Sequence, residues 1–177
     1  ALTINWVNRI LFLKLLEAQL IKYHKGDKSY GFMSSSVISD YDELNKLFFQ
    51  VLAKRVSDRS ESVNTKYGKV PYLNSSLFEI SQLERQTIRI SSLENNELPL
   101  FNSTVLKDGQ KVRYNKLPTL RYLLEFLDAY DFSSEGIEEV QEQAKTLINA
   151  SVLGLIFEKI NGHRDGSVFT PGSVTMY

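Results

Sequence analysis

Apolar residues recur at helical spacing in four stretches of the chain, separated by polar segments rich in serine, glycine and lysine. In the first stretch, Thr3 to about Tyr23, the residues Ile4, Val7, Leu11, Leu15 and Ala18 form one stripe, and Ile10, Leu13, Leu16 and Leu20 widen it. A helix apolar around most of its circumference packs inside a bundle. Asn8, Lys14 and Glu17 then face partly inward, and Lys14 and Glu17, one turn apart, are placed to pair. The second helix runs from Asp40 to about Val56, with Asp40 as cap, Glu43 at the third position, and Leu44, Leu47, Phe48, Val51 and Leu52 facing the core. Pro118 opens the third, which runs to about Tyr130 on a stripe of Leu120, Leu123, Leu124 and Leu127. The fourth spans Ile137–Ile160 with an acidic first turn at Glu138, Glu139 and Glu142.

The intervening segments read differently. Lys22 to Ser39 is a basic loop in which Tyr23, Tyr30 and Phe32 either stack on bases or pin the loop to the core. Ser57 to Lys69 is a polar surface loop with a helical turn in it. Val70 to Glu79 places Tyr72, Leu73, Leu77 and Phe78 as packing residues of a buried structural loop. Ile80 to Asn102 is irregular, with a short strand expected at Thr87–Ile90. Ser103–Lys107 and Gln110–Tyr114 flank Asp108-Gly109, a two-residue hairpin signal. The fold class is therefore mainly α, a helical bundle with a small β-hairpin insertion, the irregular and β part lying around residues 57–116.

Composition narrows the function. The chain has 177 residues, a formal net charge of zero and no cysteine. It carries no disulfide and no thiolate chemistry, and the composition fits a cytoplasmic protein. Asn5, Asn8, Arg9, Lys14 and Glu17 interrupt the first apolar run, which is not a membrane span. A free-standing nucleic-acid binder is usually basic overall, so any such contact here must be local. The most basic region is the hairpin and the following helix start, where Lys107, Lys111, Arg113 and Lys116 are the candidate phosphate contacts, with Arg121 beside them. A solvated hairpin is the alternative reading of the same residues. With only His24 and His163, a histidine triad or zinc site has little to build on, and neither catalytic nor metal-binding residues are assigned.

Near the end of the sequence the fourth helix breaks at Gly162, a suitable left-handed terminator. The chain restarts at Thr170-Pro171, an N-cap followed by proline at the first helical position. This segment, Gly166-Ser167-Val168-Phe169-Thr170-Pro171, resembles the Gly-x-x-Phe/Tyr-Thr-Pro motif X of N6-adenine DNA methyltransferases, in particular the fused restriction–modification enzymes of type IIG (Eco57I-like) and the type I modification subunits. Leu155 to Gly162 resembles that family's lead-in. Val70-Pro71-Tyr72-Leu73-Asn74-Ser75-Ser76-Leu77-Phe78-Glu79 is similar to its Pro-Tyr-Leu-Asn-Gly-Gly-Leu-Phe-Glu block, with two serines where two glycines are usual.

The resemblance implies a helical region over residues 1–165 and the start of a methyltransferase domain at 166–177. It further implies that Phe169, Thr170 and Pro171 line a pocket for S-adenosylmethionine (AdoMet) in an intact parent protein. DNA and a downstream methyltransferase domain are the implied partners. The loops that methylate adenine are missing from this sequence, since all four prolines are isolated and no Gly-x-Gly is present. No Asp/Glu-x-Lys exists for a fused nuclease either. The chain is accordingly expected to be part of a longer protein, with no catalysis or cofactor binding of its own. Two other readings stand beside this one: a non-enzymatic helical protein-interaction domain, and a sequence-tolerant DNA-binding module.

Overall fold

The structure, a computed structural model, describes residues 2–73 and 76–132 and the short strand 146–147. Helix α1 (Leu2–Tyr23) is the long element on which the others pack. It ends in two hydrogen bonds, from Lys25 N–H to Lys22 and from Gly26 N–H to Ile21, with both Lys25 and Gly26 at positive φ. This closes the last carbonyls of the helix and turns the chain sharply. Helix α2 (Tyr41–Lys46) is capped by the Asp40 carboxylate, which accepts from the Glu43 N–H at 2.8 Å. The capping box is only half formed, because the Glu43 side chain turns away to Lys46, Lys66 and Tyr67.

After Lys46 the helix widens into a π-helical stretch, Leu47–Leu52, and stops short of the expected end at Val56. Its buried residues are the anticipated Leu47, Phe48, Val51 and Leu52. Helix α3 (Glu61–Tyr67) occupies the segment read as a loop, with Ser60 as its cap. Helix α4 (Gln82–Gln86) begins with a complete Ser81/Glu84 capping box. No strand forms at Thr87–Ile90, where instead a 3₁₀ turn over Ile90–Ser92 buries Ile90 against α2.

Strands β1 (Glu97–Pro99) and β4 (Lys116–Pro118) pair antiparallel and enclose a tiny hairpin, β2 (Lys107–Asp108) and β3 (Lys111–Val112). The hairpin is present, but its turn is one residue later than expected. Asp108 pairs with Lys111, and Gly109 at φ +63° opens the turn. Helix α5 (Thr119–Asp128) follows Pro118 and buries Leu120, Leu124 and Leu127.

The chain then forms β5 (Tyr130–Asp131), which pairs parallel with β6 (Thr146–Leu147). That pairing corrects the expected helix Ile137–Ile160 at these two positions, where the backbone is extended and bonded to another strand. The rest of that helix, Gly162 and the segment Gly166–Pro171 lie outside the described residues, as do Asn74 and Ser75. The architecture is mainly helical with small two-stranded sheets, as the pattern predicts.

One core unites these pieces. Leu13, Met33, Ile38, Leu44, Leu47, Phe48, Val51, Leu52, Tyr67, Phe78, Ile90, Leu120 and Leu124 are all essentially inaccessible to solvent. The buried face of α1 runs Trp6, Arg9, Ile10, Leu13, Lys14, Glu17, with Leu11 at its edge. Ile10 and Leu13 of the widened stripe, with Lys14 and Glu17, are inward as expected, while the face centres one residue, about 100° around the helix, from the primary stripe Ile4–Val7–Leu11–Leu15–Ala18. Phe48 sits at the centre, within 6.1 Å of the Phe78 ring and 6.0 Å of Phe49. Phe48→Ala is expected to destabilise the fold by about 3–5 kcal/mol. A shift in the midpoint of urea unfolding measures this, and an unchanged midpoint contradicts the placement of Phe48 at the core.

Candidate functional site

The four candidate phosphate contacts fall on one small β structure but do not form one face. Asp108 and Lys111 are cross-strand partners and so share a face of the hairpin. Arg113 is on that side too, with its Nε 2.8 Å from Asp108 Oδ1. Its charge is therefore partly spent within the hairpin. Lys107 pairs with Val112 and lies on the other face. Lys116 is exposed on β4, opposite Pro99. Among the described residues no ion pair holds Lys107, Lys111 or Lys116.

Sequence reasoning missed the apolar residues beside them. Phe101 is 71% exposed, and Leu98 and Val105 are exposed as well. Arg121 bonds Glu125 at 2.6 Å and lies over the Tyr114 ring at 5.4 Å. The candidate cofactor residues Phe169, Thr170 and Pro171 lie outside the described residues.

The buried ionisable groups form separate structural clusters. Arg9 Nη1 and Nη2 donate to the two carboxylate oxygens of Glu84 at 2.5 and 3.0 Å. Its Nε and Nη2 also donate to the carbonyls of Leu77 and Glu79 at 2.5 and 2.8 Å. Glu84 accepts in addition from Trp6 Nε1 and from the Ser81 N–H and hydroxyl. Burial alone would raise the Glu84 carboxyl, but hydrogen bonds from Arg9, Ser81 and Trp6 outweigh it and hold it at about 2. The residues Leu77 and Glu79 belong to the block that resembles a methyltransferase motif, and what the structure shows there is a backbone held by an arginine.

Further along α1, Lys14 Nζ donates to Glu17 at 2.7 Å, to the Met33 carbonyl at 3.2 Å and to Asp128. All three ammonium protons are thus directed. Glu17 accepts from the Phe32 and Met33 N–H groups at 2.5 Å each, which fixes the basic loop to α1. The expected Lys14–Glu17 pair is present and is buried. In the same loop Phe32 is in the core and His24 stacks on Tyr30 at 3.7 Å, so two of the aromatics pin the loop to the fold. Glu43 collects Lys46, Lys66 and the Tyr67 hydroxyl. Burial pushes Glu43 upward, and those bonds reverse the effect and hold it at about 2. The Tyr67 hydroxyl is raised above its usual range by burial and by Glu43.

An open cleft of about 960 Å³ lies where α1, the 25–37 loop and the end of α5 meet. Ala18, Ile21 and Val37 give it apolar walls, and Lys25 and Lys28 stand at its basic side. The Lys14–Glu17–Asp128 cluster closes one end. No group of three or more His, Asp or Glu among the described residues is placed to hold a metal ion. No described helix is long and apolar enough to cross a membrane. The arrangement binds segments together; a nucleophile paired with a base does not occur among the clusters described above.

A family model described as "Domain of unknown function (DUF7814)" matches residues 1–148. The chain belongs to the DUF7814 family. No curated protein and no solved structure matches it. The DUF7814 match takes in the five α-helices among the described residues, the ribbon and both buried ion clusters on α1, and stops before Gly166–Pro171.

The pairing in this DUF7814 chain has measurable consequences. A carboxylate whose pKa is lower folded than unfolded adds stability that is present above the unfolded value and lost as pH falls toward the folded one. For Glu43 and Glu84 that window runs from about 4.5 down to about 2. The urea midpoint is expected to fall across this window, and a flat profile there contradicts the pairing. At neutral pH Glu84→Gln is expected to cost about 3–5 kcal/mol by leaving Arg9 buried without its counter-charge. The double variant Arg9→Leu, Glu84→Leu is expected to recover only part of that loss, because the Leu77 and Glu79 carbonyls and the Trp6 Nε1–H lose their partners; if it is no better than Glu84→Gln alone, the uncompensated charge is not the cause.

Proposed function

We propose that this domain is a non-catalytic helical connector and support in an AdoMet-dependent DNA adenine-N6 methyltransferase of the fused restriction–modification type. It holds the segment leading to the cofactor pocket and contacts the DNA backbone through its basic ribbon. The order of parts along the sequence carries the reading. A helical unit matched as one family over residues 1–148 is followed by Gly166-Ser167-Val168-Phe169-Thr170-Pro171. The internal pairing of Arg9, Lys14 and Glu17 on α1 also supports it, since it suits a rigid spacer better than a reaction centre.

In the intact protein AdoMet supplies the methyl group. By the resemblance, Phe169 would pack beside it, and Thr170 would offer backbone and hydroxyl donors to it. The catalytic loop accepting the adenine amino group belongs to the downstream domain.

The coding sequence beyond Tyr177 tests this. It is expected to encode a glycine-rich AdoMet loop and an Asn/Asp-Pro-Pro-Tyr/Phe loop. The full protein is expected to transfer the labelled methyl group of AdoMet to adenine N6 in duplex DNA. Thr170→Ala in that protein is expected to raise KM for AdoMet about fivefold, the loss of one hydrogen bond. A downstream sequence without the two loops overturns the reading.

A further inference from the structure

We infer that the ribbon β1–β4 with its hairpin binds a single strand of nucleic acid, Phe101 stacking on a base while Lys111 and Lys116 contact phosphates. This deepens the DNA contact proposed above and rests on it. Phe101 is the most exposed phenylalanine among the described residues, and no aromatic ring among them packs on it. Its position is fixed nonetheless. The Leu100 N–H donates to the Asn115 carbonyl at 3.2 Å, and the Thr104 N–H donates to the Phe101 carbonyl at 3.0 Å. The ribbon therefore ends in a turn that holds the Phe101 backbone beside Asn115 and leaves its ring in solvent.

The charge around that ring is one-sided. Residues 97–121 carry Lys107, Lys111, Arg113, Lys116 and Arg121 against Glu97 and Asp108, in a chain whose total charge is zero. Arg113 is engaged by Asp108 and Arg121 by Glu125, which leaves the exposed Lys111 and Lys116 for an outside partner. They are five residues apart, at most about 17 Å along an extended backbone, a reach of a few nucleotides. An exposed aromatic ring on the same ribbon as two exposed cations suits a polyanion with exposed aromatic faces. Bases inside a duplex are already stacked on each other and offer phosphates only, so the ring has a role only with unpaired bases.

The test uses the 177-residue chain in fluorescence anisotropy titrations with a labelled 12-nucleotide thymidine strand and with a 12-base-pair duplex. The single strand is expected to bind more tightly. Phe101→Ala is expected to weaken single-strand binding at least about fivefold and to leave duplex binding unchanged. Phe101→Trp is expected to restore it, and Phe101→Leu, which keeps the apolar bulk, to behave like alanine. Lys111→Ala with Lys116→Ala is expected to reduce the slope of log Kd against log salt by about 1.4. Thermal melting by circular dichroism checks that each variant is folded, as expected for exposed positions. Duplex preference, or single-strand binding indifferent to Phe101, overturns the stacking inference while leaving the backbone contact standing. Binding to neither form overturns both.

Discussion

The fold depends on a guanidinium placed under its longest helix. Arg9 projects from α1 and reaches three other segments: the carboxylate of Glu84 at the start of α4, the carbonyls of Leu77 and Glu79 in the preceding loop, and the rings of Phe48 and Phe49 at 5.6 and 5.3 Å in the π-helical stretch. A planar donor fork is suited to this task, because a carboxylate takes two of its N–H groups while others reach backbone oxygens. Neither the 77–80 loop nor the five-residue α4 has the internal hydrogen bonding to stand alone. A desolvated carboxylate held by Arg9, Trp6 and Ser81 fixes both to α1. The wider turn at Leu47–Leu52 belongs to the same junction, since it presents two consecutive phenylalanines to one cation.

Much of the architecture was legible because most buried residues are apolar and regularly spaced. The apolar positions of α2 and α5 were assigned as they are found. Helix α1 is instructive because the same method found the element and much of its inner face, Ile10, Leu13, Lys14 and Glu17, but not Trp6 and Arg9. Arg9, Lys14 and Glu17 lie in the buried stripe, with partners that are far off in sequence. Lys14 and Glu17 are inward as expected, and Arg9 is the inward charge that periodicity does not show. Only the Lys14–Glu17 contact is local enough to be read from spacing, and it was. The Arg9–Glu84 pair, 75 residues apart, leaves no trace in the pattern.

Other departures have equally local causes. Helix α4 was missed although Ser81-Gln82-Leu83-Glu84 is a complete capping box, because a single turn is too short for an apolar stripe to show. In the hairpin Asp108 is on a strand opposite Lys111, with its carboxylate on Arg113, and the turn begins at Gly109. Thr146–Leu147 carry helical periodicity but pair with Tyr130–Asp131, a tertiary choice that overrides a local one. For the candidate site, charge was legible and geometry was not. The sequence names the lysines, but the faces they occupy depend on register, and a one-residue slip exchanges those faces.

The distribution of charge then argues for a division of labour. Along α1 each cation that enters the interior is matched by acceptors at hydrogen-bond distance, and its energy goes into fixing loops to helices. On the ribbon the opposite holds, because Lys111 and Lys116 stand in solvent beside an aromatic ring that the core does not cover. A ribbon of three-residue strands is marginal by itself. This one is tied down by buried Leu106 and Leu117, by the Thr119 hydroxyl on the Asn96 carbonyl at 2.8 Å, and by the Asn95 side chain on the Leu120 N–H at 3.0 Å. The Thr119 and Asn95 bonds join the ribbon to the start of α5. Lys111, Lys116 and Phe101 stay exposed and take no part in those anchors.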